Sequence, residues 1–490
     1  MKVLDLTMDK SIPLPTGGTF VHGMTDLEFI EEEIRAWLQS PEREAQRDAA
    51  RYYDGKHDIL NRRIKIIDEN GEELEIKYLP NHRVVDNQYA KCVDQKDNYL
   101  VGKPFVFNCK NKDCENTLSK FFNEKRRTAI KNAVHCAIIG GKAWIMPCYT
   151  ADGVLEFSVL TADSVCPFWA DAAHTELDCA IHLYEVEVYN GDRTKERVTK
   201  VEILHGGGIN RYIYKDGRLV LDPDAPSGAY VTVNGVPQNW ERMPLVCLKA
   251  NTREQPLLNR VRGLQDQLNL KVSDLMNALS STVYNSVIVL ENYDDEDAGN
   301  TRANIMATGV VKVRSVDGVK GDARILDVKV DVDSYKKAID HLKQSVIDNA
   351  RCYDAKDDRL GTSPNQMNIQ SMYSDLDLDA NGMETHLKAA IYELLWFVFR
   401  DLENKGKGRY DDEIVEVIFN RDILINESEA IENCGKSTGV LSEETIVKQH
   451  PWVNDPAAEL KRIERERSAT SDPYKDAFPG PSGQAVEADE

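Results

Sequence analysis

The sequence lacks an apolar stretch long enough to cross a membrane. The most apolar helical run, from Ala389 to Phe399, is shorter than a bilayer span and contains Glu393. Charged residues interrupt the apolar residues of the N-terminal stretch 1–6, so we expect no secretory signal. These absences predict a cytoplasmic protein without a membrane anchor.

Positive charge is also scarce. The chain has 61 Lys and Arg residues against 82 Asp and Glu residues, which gives a net charge of −21. Proteins that grip nucleic acid neutralise its phosphates with Lys and Arg, so this balance argues against a basic binding surface. Any contact with DNA should therefore release easily. With 490 residues, 41% of them hydrophobic, the chain can build cores for roughly two to four domains.

No catalytic motif in the sequence is complete. Gly140-Gly141-Lys142 resembles part of a phosphate-binding loop, but the first glycine and the Ser or Thr after the lysine are missing. We interpret it as a helix end that enters a strand. The stretch 205–208 resembles an oxyanion loop, but no Gly-x-Ser-x-Gly elbow supplies a nucleophile, so it is interpreted as a hairpin tip. The sequence predicts a protein that is not an enzyme and needs no cofactor.

Ten cysteines in a chain without an export signal are expected to be reduced thiols, mostly in the core. Cys109 and Cys114 have a spacing that could form half of a zinc site. No second Cys or His pair lies nearby in the sequence to complete four ligands. We therefore expect no metal site.

The first 250 residues have the pattern of one α+β domain. A helix is predicted from Thr25, a hairpin over 60–80 with Asn70-Gly71 at its turn, and helices over 84–100 and 115–139. Short strands separated by Gly and Pro follow between 142 and 248.

Two amphipathic helices are predicted next, over 257–283 and 332–351, because their apolar residues recur every three or four positions. They bracket a small β insert, which contains an acidic loop of four residues. These are Asp294, Asp295, Glu296 and Asp297.

After the second helix, the stretch 353–370 has the composition of a loop, and a helix is predicted over 370–404 with a possible break at Asn381-Gly382. Short helices are predicted over 427–434, 442–449 and 456–468. From 469 onward Pro, Gly, Ser and acidic residues predominate, so we expect a disordered acidic tail.

One basic cluster is conspicuous, on a helix whose other face is apolar. It consists of Lys125, Arg126, Arg127 and Lys131. The cluster is interpreted either as a solvated helix face or as a contact with DNA or an acidic neighbouring subunit.

Several short segments occur in a characteristic order along the chain. They are Tyr52-Tyr53-Asp54-Gly55, Asn87-Gln88-Tyr89-Ala90-Lys91, Tyr99-Leu100-Val101-Gly102-Lys103-Pro104, Asn365-Gln366-Met367-Asn368-Ile369-Gln370 and Ser442-Glu443-Glu444-Thr445. In this order the chain resembles the portal family of long-tailed bacteriophages of Gram-positive hosts.

The resemblance implies an α+β portal-like subunit with named parts. They are an N-terminal arm (1–49), a wing (50–252), stem helices (253–283 and 332–352), a clip (284–331), a tunnel loop (353–369), a spine helix with a return to the wing (370–435), crown helices (436–468) and the tail (469–490). In this scheme the acidic loop of the insert is a clip contact. The tunnel loop would line the channel with Lys356, Asp357, Asp358, Arg359, Asn365 and Gln366.

The resemblance also implies a ring, usually of twelve subunits, at one vertex of the capsid. Double-stranded DNA would enter and leave through its channel, with a terminase as the separate ATPase and with head-completion, capsid and scaffolding proteins as further partners. The protein would lie in the host cytoplasm during assembly and in the virion afterwards. Residues 353–382 hold six Asp against one Lys and one Arg, a local net of 2 − 6 = −4 that would repel phosphates. The alternative is another structural or adaptor protein of a phage or mobile element.

Overall fold

The structure is a computed structural model, and it describes most of the chain. The described ranges are 26–67, 73–75, 80–189, 194–233, 236–280, 287–291, 322–326, 331–354, 366–421, 427–453 and 456–470.

The N-terminal half begins with five helices, and Asn and Ser side chains set where most of them begin. The helices are α1 (Asp26–Leu38), α2 (Pro41–Tyr53), α3 (Gln88–Val101), α4 (Lys112–Phe121) and α5 (Glu124–Gly140). Ser40 caps α2, and Asn87 caps α3 by accepting the Ala90 N–H at 3.0 Å. Helix α3 therefore begins at Gln88, four residues after the predicted start.

The helix predicted over 115–139 is two helices. Asn123 interrupts it, because its side chain accepts the N–H of Arg126 at 3.2 Å and so caps a new helix. The apolar spacing continues across this break, which explains why periodicity alone missed it.

Sixteen strands lie in the described part of the chain. The first thirteen are β1 (Lys65–Ile67), β2 (Glu73–Glu75), β3 (Val106–Cys109), β4 (Lys142–Tyr149), β5 (Leu155–Thr161), β6 (Val165–Trp169), β7 (Leu177–Tyr189), β8 (Lys195–His205), β9 (Gly208–Lys215), β10 (Arg218–Leu221), β11 (Val231–Val233), β12 (Val236–Gln238) and β13 (Val246–Lys249). The others are β14 (Val287–Glu291), β15 (Asp322–Leu326) and β16 (Val415–Ile418).

Two antiparallel sheets carry the core of the predicted wing. One has the strand order β10-β9-β8-β7-β6 and the other β13-β4-β5. Ile30 and Ile34 of α1 pack on the five-stranded sheet, while Trp144 and Val165 join a cluster that connects strands of both sheets. Alternation along the strands places these apolar residues on the inner faces.

In the described part of the chain, four strand pairs lie outside these two sheets, and one of them joins β11 to β12. β1 pairs with β2, which confirms the hairpin, although its predicted Asn70-Gly71 turn lies outside the described residues. β3 pairs with β16, so the chain returns to this part of the fold after about 300 residues. β14 pairs with β15 and confirms strands in the insert, whose acidic loop, 294–297, lies outside the described residues.

Helices α6 (Leu258–Ser280) and α7 (Val332–Ala350) confirm the predicted pair of long amphipathic helices. They pack on each other through Leu268, Leu275 and Ile339. Asp331 caps α7 by accepting the Ser334 N–H at 3.1 Å.

Helix α8 runs without interruption from Gln366 to Asn404. It therefore begins four residues before the predicted 370, and the expected break at Asn381-Gly382 is wrong. Leu376 and Leu387, on either side of that pair, are buried, and their packing overrides the low helix propensity of one glycine.

The C-terminal helices are α9 (Glu427–Lys436), α10 (Glu443–Gln449) and α11 (Pro456–Thr470). Ser442 caps α10, as expected. The predicted tail lies outside the described residues from 471 onward, while 469 and 470 still belong to α11.

The chain divides into two compact units, one of residues 1–354 and 375–422 and the other of 355–374 and 423–490. Among the described residues, no helix combines the length and the apolar character that a bilayer span requires.

Candidate functional site

Helix α3 binds the segment 351–354, the last described residues before the predicted tunnel loop. Cys92 forms a disulfide with Cys352, with a Cα–Cα distance of 5.6 Å. The Gln95 amide donates to the Tyr353 carbonyl at 3.1 Å and accepts the Tyr353 N–H at 3.4 Å. Lys91 forms an ion pair with Asp354 at 3.5 Å. The chain is thus fixed as far as residue 354.

The same face of α3 carries a buried lysine that organises a cluster of charges. Lys96 is 6% exposed, and its Nζ lies 2.6 Å from Asp379 of α8. Asp379 also pairs with Arg260 of α6 at 3.4 Å and with Arg351 at 3.5 Å. Burial opposes ionisation of Asp379, but the charges of Lys96 and Arg260 hold the pKa of its carboxyl below the usual range. Three helices and the end of α7 therefore meet on one carboxylate.

A second group of contacts fixes α8 to the next turn of α3 and to Arg421. Tyr99 donates from its hydroxyl to Asp377 at 3.0 Å. Arg421 donates to Asp377 at 2.5 Å and to Asn381 at 2.7 Å, and also pairs with Glu384. Burial, together with the hydrogen bond to Asp377, raises the pKa of Tyr99 to about 12, so the phenol stays a donor at neutral pH. The chain up to Asp354 and the part of α8 around Asp377 and Asp379 are therefore both anchored to α3.

These anchors change the charge expected of the predicted tunnel segment. Of its six aspartates, Asp354, Asp377 and Asp379 have basic partners within 3.5 Å, so half of these aspartates are compensated. Asp375 is exposed. The other predicted channel residues, Lys356, Asp357, Asp358, Arg359 and Asn365, lie outside the described residues, as does the side chain of Gln366.

A ladder of polar side chains on α6 was missed by sequence reasoning. Gln265, Asn269, Ser273 and Asn277 recur every four residues, and the first three are fully buried. They accept the backbone N–H groups of Tyr89, Asp86, Val84 and His82 at 3.1, 3.0, 2.9 and 2.7 Å, respectively. The spacing of four could have identified a polar stripe on this helix, although not its partner. The ladder fixes the chain that leads into α3 along α6.

The sequence matches the family model "Phage portal protein, SPP1 Gp6-like" over residues 42–472. The chain belongs to this portal family. It is 26% identical to the portal protein of Bacillus phage SPP1 over 422 residues, which cover 85% of this chain and 82% of the relative. It is 21% identical to the portal protein of Clostridium phage phiCD119 over 460 residues, which cover 90% and 98%.

Among solved structures, a chain of "Neck of native GTA particle computed with C12 symmetry" matches with a TM-score of 0.36 and 12% identity, covering 73% of this chain and 87% of that one.

Membership of the portal family confirms the predicted resemblance and its α+β portal-like fold. Portal proteins are structural components of the virion that form ring oligomers at a capsid vertex, and they are not enzymes. The family match also decides against the alternative of another phage structural or adaptor protein.

The basic cluster at 125–131 divides between structural and exposed residues. Arg126 is 6% exposed and donates to the Leu155 carbonyl at 2.9 Å and to the Phe121 carbonyl. Arg127 donates to the Phe122 carbonyl at 2.8 Å. Both arginines thus satisfy carbonyl groups at and just after the end of α4.

Burial removes Arg126 from any surface contact, a correction to the sequence analysis. Lys125 is exposed and lies 3.6 Å from Glu156, whereas Lys131 donates to Asn98 at 2.7 Å. Contact of Lys125, Arg127 and Lys131 with DNA or a neighbouring subunit stays a prediction.

The incomplete phosphate-loop motif is a helix end, as predicted. Gly141 ends α5 at φ +83°, where a Cβ atom would lie 2.2 Å from the Glu254 carbonyl oxygen. Lys142 is 3% exposed and pairs with Glu42 and Glu254, each at 2.9 Å. Burial opposes ionisation of Glu254, but Lys142 lowers the pKa of its carboxyl to about 2. This lysine therefore serves a buried ion pair.

The remaining motifs agree in part with expectation. His205 ends β8 and Gly208 begins β9, which confirms a hairpin. Eight cysteines are free, as expected, but the Cys92–Cys352 disulfide contradicts the expectation that all ten are reduced. It joins residues 260 positions apart, a pairing that no local spacing indicates.

Proposed function

We propose that the chain forms a ring, of twelve subunits, whose central channel passes double-stranded DNA. A terminase supplies ATP hydrolysis during packaging, and the ring later joins head to tail and releases the genome. The host cytoplasm is the place of assembly, together with capsid and scaffolding proteins. The family match over 42–472 supports this function for the chain as a whole.

The observation that carries the proposal is the double anchoring of the predicted tunnel loop. A loop that borders moving DNA must keep its ends in place while its own residues contact the duplex. The disulfide and the Gln95 contacts fix residues 352 and 353, and the Lys96 and Arg421 pairs fix Asp379 and Asp377. This arrangement supports the requirement that the ends of the predicted tunnel loop stay in place.

The proposed loop acts by weak contact and repulsion. With three aspartates of the segment paired, repulsion of phosphates depends on Asp357, Asp358 and exposed Asp375. Asn365 and Gln366 offer neutral amides for transient hydrogen bonds with the duplex. Few uncompensated acids still prevent a tight electrostatic grip, because phosphate affinity requires cations.

The primary test is electron microscopy of the purified full chain, in which we expect rings with a central hole and twelve subunits in averaged top views. A monodisperse monomer in light scattering, at every salt and protein concentration tried, would contradict the proposal.

Charge reversal tests the loop. Asp357→Lys with Asp358→Lys should create a collar that binds phosphate, slow packaging in an assay with the terminase and proheads of the parent phage, and add salt-sensitive DNA binding. The matched control, Asp152→Lys with Glu241→Lys, reverses two exposed acids elsewhere and should package at the parental rate. Intact rings that package normally after the loop reversal would place this segment outside the channel.

The insert at 284–331 is proposed as the clip that meets the terminase during packaging and head-completion proteins afterwards. Its antiparallel β14–β15 pair supports an independent small unit. Asp294, Asp295, Glu296 and Asp297 would provide the acidic contact. Deletion of 294–300 should leave rings intact and impair packaging. Normal packaging with loss of capsid assembly would assign this element to another role.

A further inference from the structure

A compact set of ligand-type side chains lies where α3 packs on α5. Asp94 and Asp97, one helical turn apart on α3, and His135 on α5 each bring a ligand atom within 4.8 Å of the others. We propose that these three residues bind a divalent metal ion. Such an ion would join α5 to the helix that anchors the predicted tunnel loop.

The buried member of the trio has an unsatisfied oxygen. Asp97 is 5% exposed, and its Oδ2 accepts a hydrogen bond from His135 Nδ1 at 2.8 Å. Its other oxygen, Oδ1, is buried and has no hydrogen-bond partner in the described part of the chain. A buried carboxylate oxygen without a partner is costly, and a cation at this position would remove the cost.

The charge around the trio also lacks compensation. Within the described ranges, no lysine or arginine comes within 4.0 Å of the carboxylate of Asp94 or Asp97, and the basic partner of Asp97 is His135. Asp94 accepts a hydrogen bond from the Tyr53 hydroxyl at 2.8 Å, and the Tyr53 ring stands edge-on to His135 at 4.8 Å between centroids. Tyr53 of α2 thus holds Asp94 by a hydrogen bond and packs against the ring of His135. Residues outside the ligand set position the ligands of metal sites in this way.

The donor set indicates which ions fit. Carboxylate oxygens suit Mg²⁺, Ca²⁺ and Mn²⁺, whereas an imidazole nitrogen favours Zn²⁺ and other late transition metals. Two carboxylates with one imidazole therefore favour Zn²⁺ or Mn²⁺ over Mg²⁺. Three protein ligands leave at least one position for water.

Isothermal titration of the chelator-treated full chain with ZnCl₂, MnCl₂ and MgCl₂ tests the proposal. We expect one equivalent of Zn²⁺ or Mn²⁺ per chain, and an affinity lowered at least about 10-fold by Asp94→Asn or His135→Gln. The matched controls, Asp152→Asn and His341→Gln, change an exposed aspartate and an exposed histidine and should bind as the parent does.

Three results would overturn the proposal. One is the absence of stoichiometric binding of any of the three ions. Another is an affinity unchanged by Asp94→Asn, a variant that alters an exposed side chain and so should fold even if His135→Gln does not. The third concerns the variant Cys109→Ser with Cys114→Ser, which removes two free thiols. Zn²⁺ binding that disappears in this variant alone would assign the ion to those cysteines and overturn the proposal.

Discussion

The basic residues at 125–131 and the basic residues around Asp377 and Asp379 are arranged in opposite ways. Lys125, Arg126 and Arg127 are neighbours in sequence, yet they do not all share one partner. Lys125 and buried Arg126 each lie 3.6 Å from Glu156, whereas Arg127 donates to the Phe122 carbonyl, because successive helical residues lie about 100° apart around the axis. The second group is scattered along the chain but converges in space. It comprises Lys96, Arg260, Arg351 and Arg421. A run of charge in a sequence therefore does not by itself indicate a binding surface.

The largest expected effect comes from the converging group. Asp379→Asn removes the partner of buried Lys96 and should destabilise the protein by about 3–5 kcal/mol, the cost of an uncompensated buried charge. Urea denaturation followed by tryptophan fluorescence measures this loss. Asp375→Asn is the matched control, since Asp375 is exposed on the same helix and should be nearly neutral. Equal effects of the two variants would contradict the comparison.

The ion pair of Lys96 and Asp379 also predicts that the stability of the fold depends on pH. Because the pKa of Asp379 is lower in the fold than its ordinary value, its contribution to stability is complete above that ordinary value. The contribution is lost as the pH falls through the lowered pKa. Asp379→Asn should therefore flatten the acid limb of the stability curve.

A double change, Lys96→Met with Asp379→Leu, should recover much of the stability, because apolar residues often replace a buried pair without loss.

Arg126→Met tests the basic residues at 125–131. It should lower the free energy of unfolding by about 2–3 kcal/mol, since the carbonyl groups of Leu155 and Phe121 lose a charged donor. Lys125→Met, one position earlier on an exposed side chain, is the control and should leave the urea midpoint unchanged. A stable Arg126→Met variant with weakened DNA contact would restore the surface interpretation of this arginine.

Local signals explain which parts of the fold the sequence predicted. Gly141 has no side chain, so it could end α5 in a left-handed conformation directly before a strand. The regular apolar spacing of α6 and α7 and the β pattern of the insert between them likewise depend on near neighbours. The family resemblance added the order of the parts, which no local pattern contains.

The anchors of the predicted tunnel loop could not be predicted in this way. Cys92 and Cys352 are 260 positions apart, and Lys96 and Asp379 are 283 apart, so neither pair leaves a local pattern. The α6 ladder could be predicted only in part. Its spacing of four is present in the sequence, but nothing in the sequence indicates that its partners are backbone N–H groups. Similarly, Asp97 and His135 are 38 positions apart and on different helices.

Ser273→Ala extends the comparison from charged to neutral contacts. The Ser273 hydroxyl accepts the Val84 N–H at 2.9 Å, and its loss leaves one backbone donor without this acceptor. We expect the free energy of unfolding to fall by about 1 kcal/mol, less than for Asp379→Asn or Arg126→Met. The urea midpoint measures it, with Ser119→Ala, an exposed serine of α4, as control. A loss as large as that of Asp379→Asn would show that the ladder, rather than the ion pairs, dominates the anchoring.

The smallest effect on stability is expected for Lys125→Ala with Lys131→Ala. Lys125 is exposed, its partner Glu156 keeps Arg126 at 3.6 Å, and Lys131 reaches exposed Asn98, so the change in unfolding free energy should stay within about 0.5 kcal/mol. This neutrality makes the variant a clean test of the predicted contact. If the lysines meet an acidic neighbouring subunit, rings should dissociate more readily, most clearly at low salt, where charge attraction is least screened. If they meet DNA, rings should stay intact while packaging slows. Parental behaviour in both measurements would contradict the predicted contact for Lys125 and Lys131 and would leave Arg127 as the one residue of the cluster to which that prediction still applies.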